Sequence, residues 1–147
     1  MQKTPDRVML AVVNARPIDE NLFRITPELR LIGGRSRSSG RIVFPLPVDP
    51  EAFEPIELPH RGLLWSYTVQ RFPPKSPPYH GDPPFEPFAI GYIELPGALI
   101  VESRLTDIRF DEMRIGLPMR LTTFALRKDE HGTVLMFAFR PETGAQP

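Results

Sequence analysis

The sequence predicts a mainly β protein, a small barrel of five strands behind an irregular N-terminal segment. Three observations predict it. Nineteen prolines in 147 residues favour strands joined by stiff loops over a helical bundle, because proline fixes φ and removes a backbone donor. From Leu63 onward, apolar and polar residues alternate at the period of a strand. Two turn signals, Pro96-Gly97 and Lys128-Asp129-Glu130-His131-Gly132, each divide a pair of such runs, as hairpin loops do.

The first strand begins at Leu63. Leu63, Trp65, Tyr67 and Val69 alternate with Leu64, Ser66, Thr68 and Gln70, which places the first set on the inward face. The run Phe88 to Leu95 is apolar on both faces, as a central strand is. Gly91 within it marks a bend or bulge of the kind that closes a small barrel. Ala98 to Arg104 returns as its hairpin partner. Met119 to Arg127 and Thr133 to Arg140 form the second hairpin. Between the hairpins, Thr106 to Gly116 has room for a helical turn or a wide loop, and Pro118 forbids a continued helix. Five strands with a wide connection between the third and fourth have the layout of an OB-type Greek-key barrel. Another small barrel or a sandwich fits the same pattern.

The chain length suits one domain with an appended segment. Residues 1–60 form the N-terminal part, 61–140 the barrel, and 141–147 a mobile tail without an apolar anchor. Within the first part, residues 1–31 read as irregular structure with room for one short helix. Residues 32–60 are rich in Gly, Ser, Pro and segregated charge, with Arg35, Arg37 and Arg41 preceding Asp49, Glu51, Glu54 and Glu57. No internal repeat is present.

Composition narrows the function. Eighteen basic and eighteen acidic residues balance, so no net field draws the chain to nucleic acid or anionic membranes. No apolar run reaches the ~18 residues of a membrane span. Met9 to Val13 is short, and Asn14-Ala15-Arg16 is not a persuasive signal-peptidase site. A cytoplasmic address fits. Without cysteine, the chain has no disulfide, no thiolate metal ligand and no thiol nucleophile. His60, His80 and His131 lie in predicted loops without partners at metal or catalytic spacing. Asp107, Asp111 and Glu112 sit in a charged connection where capping and solvation explain them. Gly33 to Gly40 lacks the Gly-Lys-Ser/Thr ending of a phosphate loop, and no Gly-x-Ser-x-Gly elbow occurs. The sequence offers no active site of its own.

Four stretches in order carry a resemblance. Leu31 to Phe44-Pro45, His60 to Thr68, Phe85 to Leu95, and Arg114-Ile115-Gly116-Leu117-Pro118-Met119-Arg120 together resemble a family that pairs a rubredoxin-like zinc ribbon with an acyl-CoA-associated OB-fold. Its members are accessory subunits of thiolase-superfamily enzymes: thiolases, condensing enzymes and side-chain-cleaving aldolases. The resemblance implies a non-catalytic subunit that docks onto such an enzyme, with acyl-CoA shared with the partner and no nucleic acid or membrane partner. Typical members carry two Cys-x-x-Cys pairs. Here Ser36 and Ser39 stand at the first pair, Asp49 and Ala52 at the second. The resemblance therefore implies a degenerate ribbon without zinc and no cofactor of the chain's own. Packing on the barrel or a partner must then order residues 32–60, helped by pairing of Arg35, Arg37 and Arg41 with Glu51, Glu54 and Glu57.

Two clusters are candidates for the CoA phosphates, Arg35 with Arg37 and Arg71 with Lys75. Tyr79 and Phe85, in the proline-rich connection from Phe72 to Pro87, are candidate anchors in a partner's pockets. The alternative is a free-standing OB-fold that binds single-stranded nucleic acid or another ligand. Its stacking candidates are Trp65, Tyr67, Tyr79 and Tyr92. Trp65 and Tyr67 are expected on the inward face, and the neutral chain lacks a cationic groove.

Overall fold

The computed structural model describes residues 15–72 and 85–142. Their strands are β1 (Ala15–Pro17), β2 (Phe23–Arg24), β3 (Arg30–Ser36), β4 (Ile42–Val43), β5 (Phe53–Glu57), β6 (Arg61–Gln70), β7 (Phe88–Leu95), β8 (Leu99–Leu105), β9 (Pro118–Asp129) and β10 (Gly132–Pro141). β6 to β8 form an antiparallel meander, and β9 and β10 a second hairpin. The ring closes at two places. Arg61–Leu63 of β6 pairs antiparallel with Pro118–Arg120 of β9, and β10 pairs parallel with the end of β8. A five-stranded barrel closed by one parallel contact between its third and fifth strands is the OB arrangement. The expected wide connection carries a single 3-10 turn at Phe110–Glu112.

The inward rows of the barrel are Leu64, Ala89, Ile93, Leu95, Val101, Leu105, Met119, Leu121 and Phe139, all buried. Each such aliphatic or aromatic side chain contributes ~1.5–3 kcal/mol by leaving water. Ser103 is the one buried polar residue among them, and its hydroxyl donates to the Arg104 carbonyl.

The N-terminal part holds more order than its sequence suggested. Among the described residues it contains no helix. β3 runs as the centre of a second sheet, with β2, β4 and β5 laid against it. Phe23, Leu31 and Leu58 join the barrel residues in one continuous core. Phe137, on β10, meets the rings of Phe23 and Phe44 edge-on at 6.0 and 5.8 Å. The segment is thus packed on the barrel. The expected charge pairing does not form there: Glu57 pairs with Arg24, and no ion pair joins Arg35, Arg37 or Arg41 to Glu51, Glu54 or Glu57 among the described residues. Exposed pairs contribute only ~0–1 kcal/mol each, so little stability rests on the difference.

The start of the tail is also tied. Pro141 ends β10, the Glu142 amide donates to the Pro118 carbonyl at 2.9 Å, and its carboxylate pairs with Arg61 at 3.3 Å.

Candidate functional site

The face predicted for β6 needs correction. Leu63 was expected inside, yet it is 46% exposed while Leu64 is 1% exposed. The cause is a bulge. Leu64 pairs with Ile93 and Ser66 with Tyr92, so Trp65 is an extra residue with no opposite number. The alternation reverses there. Before the bulge Leu64 enters the core; after it, Tyr67 and Val69 stand opposite Gly91 and Ala89, and Tyr67, expected inside, is 40% exposed. Trp65 itself is 54% exposed rather than inward. Gly91, taken as the irregular residue, lies instead in a regular strand next to the true bulge.

This register builds an outer face on β6, β7 and β8. One cross-strand row reads Leu63–Glu94–Ile100 and the next Ser66–Tyr92–Glu102. Tyr92 is 42% and Ile100 43% exposed. Glu94 and Glu102 make no ion pair among the described residues. The following row reads Thr68–Ile90–Arg104. Its cation is occupied: the Arg104 guanidinium stands 3.8 Å from the Phe88 ring centre and 4.5 Å from that of Phe124.

A second arrangement appears only through register. Arg61 of β6, Arg120 of β9 and Arg140 of β10 are direct cross-strand neighbours, abreast on the outside of the barrel. Among the described residues, Arg61 alone of the three has an ion pair, to Glu142. The Arg140 Nε is buried without a hydrogen-bond partner. His60 adjoins the row. Partial burial first, then the Arg30 and Arg61 cations, hold its imidazole below the ordinary range, against a weaker pull from Glu142 and Glu28. No sequence motif could have found this row, because its members lie far apart in the chain.

The predicted residues are dispersed. Arg35 is exposed on β3, and Arg37 donates from Nε to the Pro50 carbonyl at 3.2 Å. Arg71 lies beyond the far end of β6, 5.9 Å from the Phe110 ring centre. Phe85 is half-buried and edge-on to Phe88 at 5.8 Å. Lys75 and Tyr79 lie outside the described residues, as does His80. Among the described residues no three His, Cys, Asp or Glu side chains gather as a metal site, and no helix is long and apolar enough to cross a membrane.

Residues 55–124 match the family model described as the ChsH2 C-terminal OB-fold domain. A "DUF35 domain-containing scaffold protein" of Pyrococcus furiosus is 29% identical over 119 residues, covering 76% of this chain and 83% of that protein. Among solved structures, a chain of the "Ltp2-ChsH2(DUF35) aldolase" superposes with a TM-score of 0.57 at 26% identity, over 78% of this chain and 86% of that one. The barrel region, residues 55–124, is thus similar to the C-terminal OB-fold domain of ChsH2.

The four positions at which the resemblance sets zinc ligands lie in two turns. Ser36 and Ser39 form one tight turn, in which the Ser36 hydroxyl accepts from the Ser39 amide at 3.2 Å and its carbonyl from the Gly40 amide at 2.8 Å. Asp49 and Ala52 form the other, in which the Asp49 carboxylate accepts from the Ala52 amide at 3.2 Å. The Arg37 amide donates to the Ala52 carbonyl at 2.9 Å and joins the two turns. Oxygen atoms thus take up the backbone donors of both turns. Two hydroxyls, one carboxylate and a methyl group do not fit zinc, which takes thiolate or imidazole donors in a tetrahedral structural site.

Proposed function

We propose that this protein is a non-catalytic accessory subunit that docks onto a thiolase-superfamily acyl-CoA enzyme in the cytoplasm and supports its assembly or its acyl-CoA binding. The observation that carries this reading is the likeness to a chain of the Ltp2-ChsH2 aldolase over 78% of this sequence, more than the barrel alone occupies. The scaffold naming of the Pyrococcus relative points the same way. The catalytic cysteine and bases then belong to the other chain, in keeping with a sequence that has no cysteine.

For the CoA moiety, the arginine row has the better chemistry. Three guanidiniums abreast can meet diphosphate and monophosphate oxygens in bidentate fashion. The Arg35–Arg37 and Arg71–Lys75 clusters are the competing positions, and Tyr79 and Phe85 remain proposed partner anchors. Co-expression with a thiolase-like chain tests the whole reading: the two should co-purify, and the subunit alone should turn over no acyl-CoA ester. Robust turnover by the isolated subunit, lost in His60→Ala, would overturn it.

One observation favours the oligonucleotide reading: Trp65 and Tyr92 are exposed, as stacking platforms must be. Glu94 and Glu102 oppose it, since they would repel a phosphate backbone. Binding of a labelled deoxythymidine oligomer that falls steeply with salt is the result that would favour it.

A further inference from the structure

We infer that the outer face of β6–β8, centred on Trp65 and Tyr92, is the surface that seats on the partner enzyme, and that the partner meets it with an apolar centre ringed by Arg or Lys. This inference rests on the accessory-subunit reading and adds to it the contact surface and the chemistry of the opposing side.

Leu63, Tyr92 and Ile100 on this face, and Trp65 at the bulge of β6 beside it, are each at least two-fifths exposed. Scattered exposed apolar residues are ordinary, but here the register places Leu63 and Ile100 in one row and Tyr92 in the next, a few ångströms apart. Trp and Tyr are the residue types that dominate interface energy. They stand on a sheet whose middle strand, β7, is hydrogen-bonded on both sides. Docking therefore orders little backbone, and most of the contact energy is kept as affinity.

The carboxylates define the partner. Glu94 lies between Leu63 and Ile100, and Glu102 lies beside Tyr92. Burying either without a cation would cost more than the apolar contacts return. Among the described residues the face has no further cation to offer, because Arg104 is held by Phe88 and Phe124. A second copy of this chain, docked face to face on a two-fold axis, would set these carboxylates against their own images. Nucleic acid would bring more negative charge. A protein surface bearing Arg or Lys around an apolar pocket satisfies both the aromatic and the acidic groups.

The test uses the full chain and the thiolase-like subunit that co-purifies with it. A zero-length carbodiimide should couple Glu94 or Glu102 to a partner lysine. Where arginines oppose them, Glu94→Lys/Glu102→Lys should weaken the complex at least about tenfold and flatten its salt dependence. Trp65→Ala/Tyr92→Ala should weaken it by at least about a hundredfold, with the melting temperature of the free subunit unchanged. Should that pair fold poorly, the charge-reversed protein still decides. If the enzyme co-purifies but both double variants bind it as wild type does, the surface assignment is wrong and the accessory reading survives. If no thiolase-like chain co-purifies, both fall. A free subunit that sediments as a dimer and becomes monomeric in Trp65→Ala would assign the face to self-association and overturn the inference. So would competition for this face by an oligonucleotide.

Discussion

The Arg16 guanidinium holds both carboxylate oxygens of Asp129, and so fastens the first described strand to the end of the fourth barrel strand. β1 has only three residues and lies parallel to β10, with Ala15 opposite Thr133 and Pro17 opposite Leu135. So short a parallel pairing has few hydrogen bonds of its own. The Ile18 amide adds one more to the Leu135 carbonyl at 2.8 Å. The ion pair reaches across the hairpin and joins three strands, and the His131 amide donates to the same carboxylate at 2.8 Å.

This cluster predicts an acid-dependent loss of stability. The hydrogen bond from Arg16 is the main cause, with the His131 amide second, that lowers the Asp129 carboxyl from 3.8 to about 2. A group whose folded pKa is depressed favours the folded state at pH above its unfolded pKa. That contribution declines as the pH falls through 3.8 toward about 2. Urea unfolding midpoints measured from pH 5 to pH 2 should therefore fall less in Asp129→Asn than in wild type. Parallel curves for the two proteins would show that the ion pair carries no linkage.

Two glycines separate by what opposes them. A Cβ on Gly62 would strike the Glu94 backbone carbonyl, whereas one on Gly91 would meet the methyl ends of Leu64 and Leu105 at 2.7 and 3.0 Å. A carbonyl inside a ladder cannot turn away; a leucine tip can shift slightly. Overpacking typically costs ~1–3 kcal/mol. Gly62→Ala should sit at or above the top of that range and Gly91→Ala lower in it, read from chemical unfolding. The reverse order would mean that β6 and β7 separate more easily than the core repacks.

The barrel was legible because its strands are long enough for period-two alternation to show and its turns are marked by Pro-Gly and Asp-Glu-His-Gly. The strands found at Arg61–Gln70, Phe88–Leu95 and Leu99–Leu105 lie within two residues of the expected ones. The face of β6 was not legible. Trp65 continues the alternation perfectly in sequence, and only the partner strand reveals that it has no opposite number. β2 and β4 have two residues each, too few to carry any period. The arginine row and the outer aromatic face are properties of register between distant segments, so neither leaves a local signal.

The turns at Ser36–Ser39 and Asp49–Ala52 predict a metal experiment in two directions. With Ser36, Ser39, Asp49 and Ala52 at the four ligand positions, elemental analysis of the protein after mild chelation should find no stoichiometric zinc. The two turns remain joined by the Arg37–Ala52 hydrogen bond, so placing cysteine at all four positions should restore tight zinc binding and raise the melting temperature. Zinc ribbons in isolation gain on the order of 10 kcal/mol from the metal. Much less should appear here, because Phe23, Leu31 and Leu58 already anchor the segment in the common core. About one zinc per wild-type chain would contradict the ligand argument outright.

Arg120 provides the sharpest test of what the arginine row is for. It stands between Arg61 and Arg140 in direct register, and like charges opposite one another on a sheet are destabilising by a few tenths of a kcal/mol or more per pair. Glu142 relieves only the Arg61 end. A row kept purely for stability would not be built this way, whereas one kept to meet phosphate oxygens would accept the repulsion. Arg120→Gln should therefore raise the melting temperature of the free subunit by one to a few degrees, on the order of 0.5 kcal/mol. In the complex it should weaken acyl-CoA binding by about tenfold, the loss of one charge-assisted contact. Arg120→Lys separates charge from geometry: it keeps the repulsion, so the melting temperature should stay near wild type, while the single ammonium cannot replace the bidentate fork and affinity should still fall. If Arg120→Gln instead melts earlier and leaves acyl-CoA affinity unchanged, the arginines serve the barrel's own packing, and CoA recognition belongs to the partner or to the Arg35–Arg37 and Arg71–Lys75 clusters.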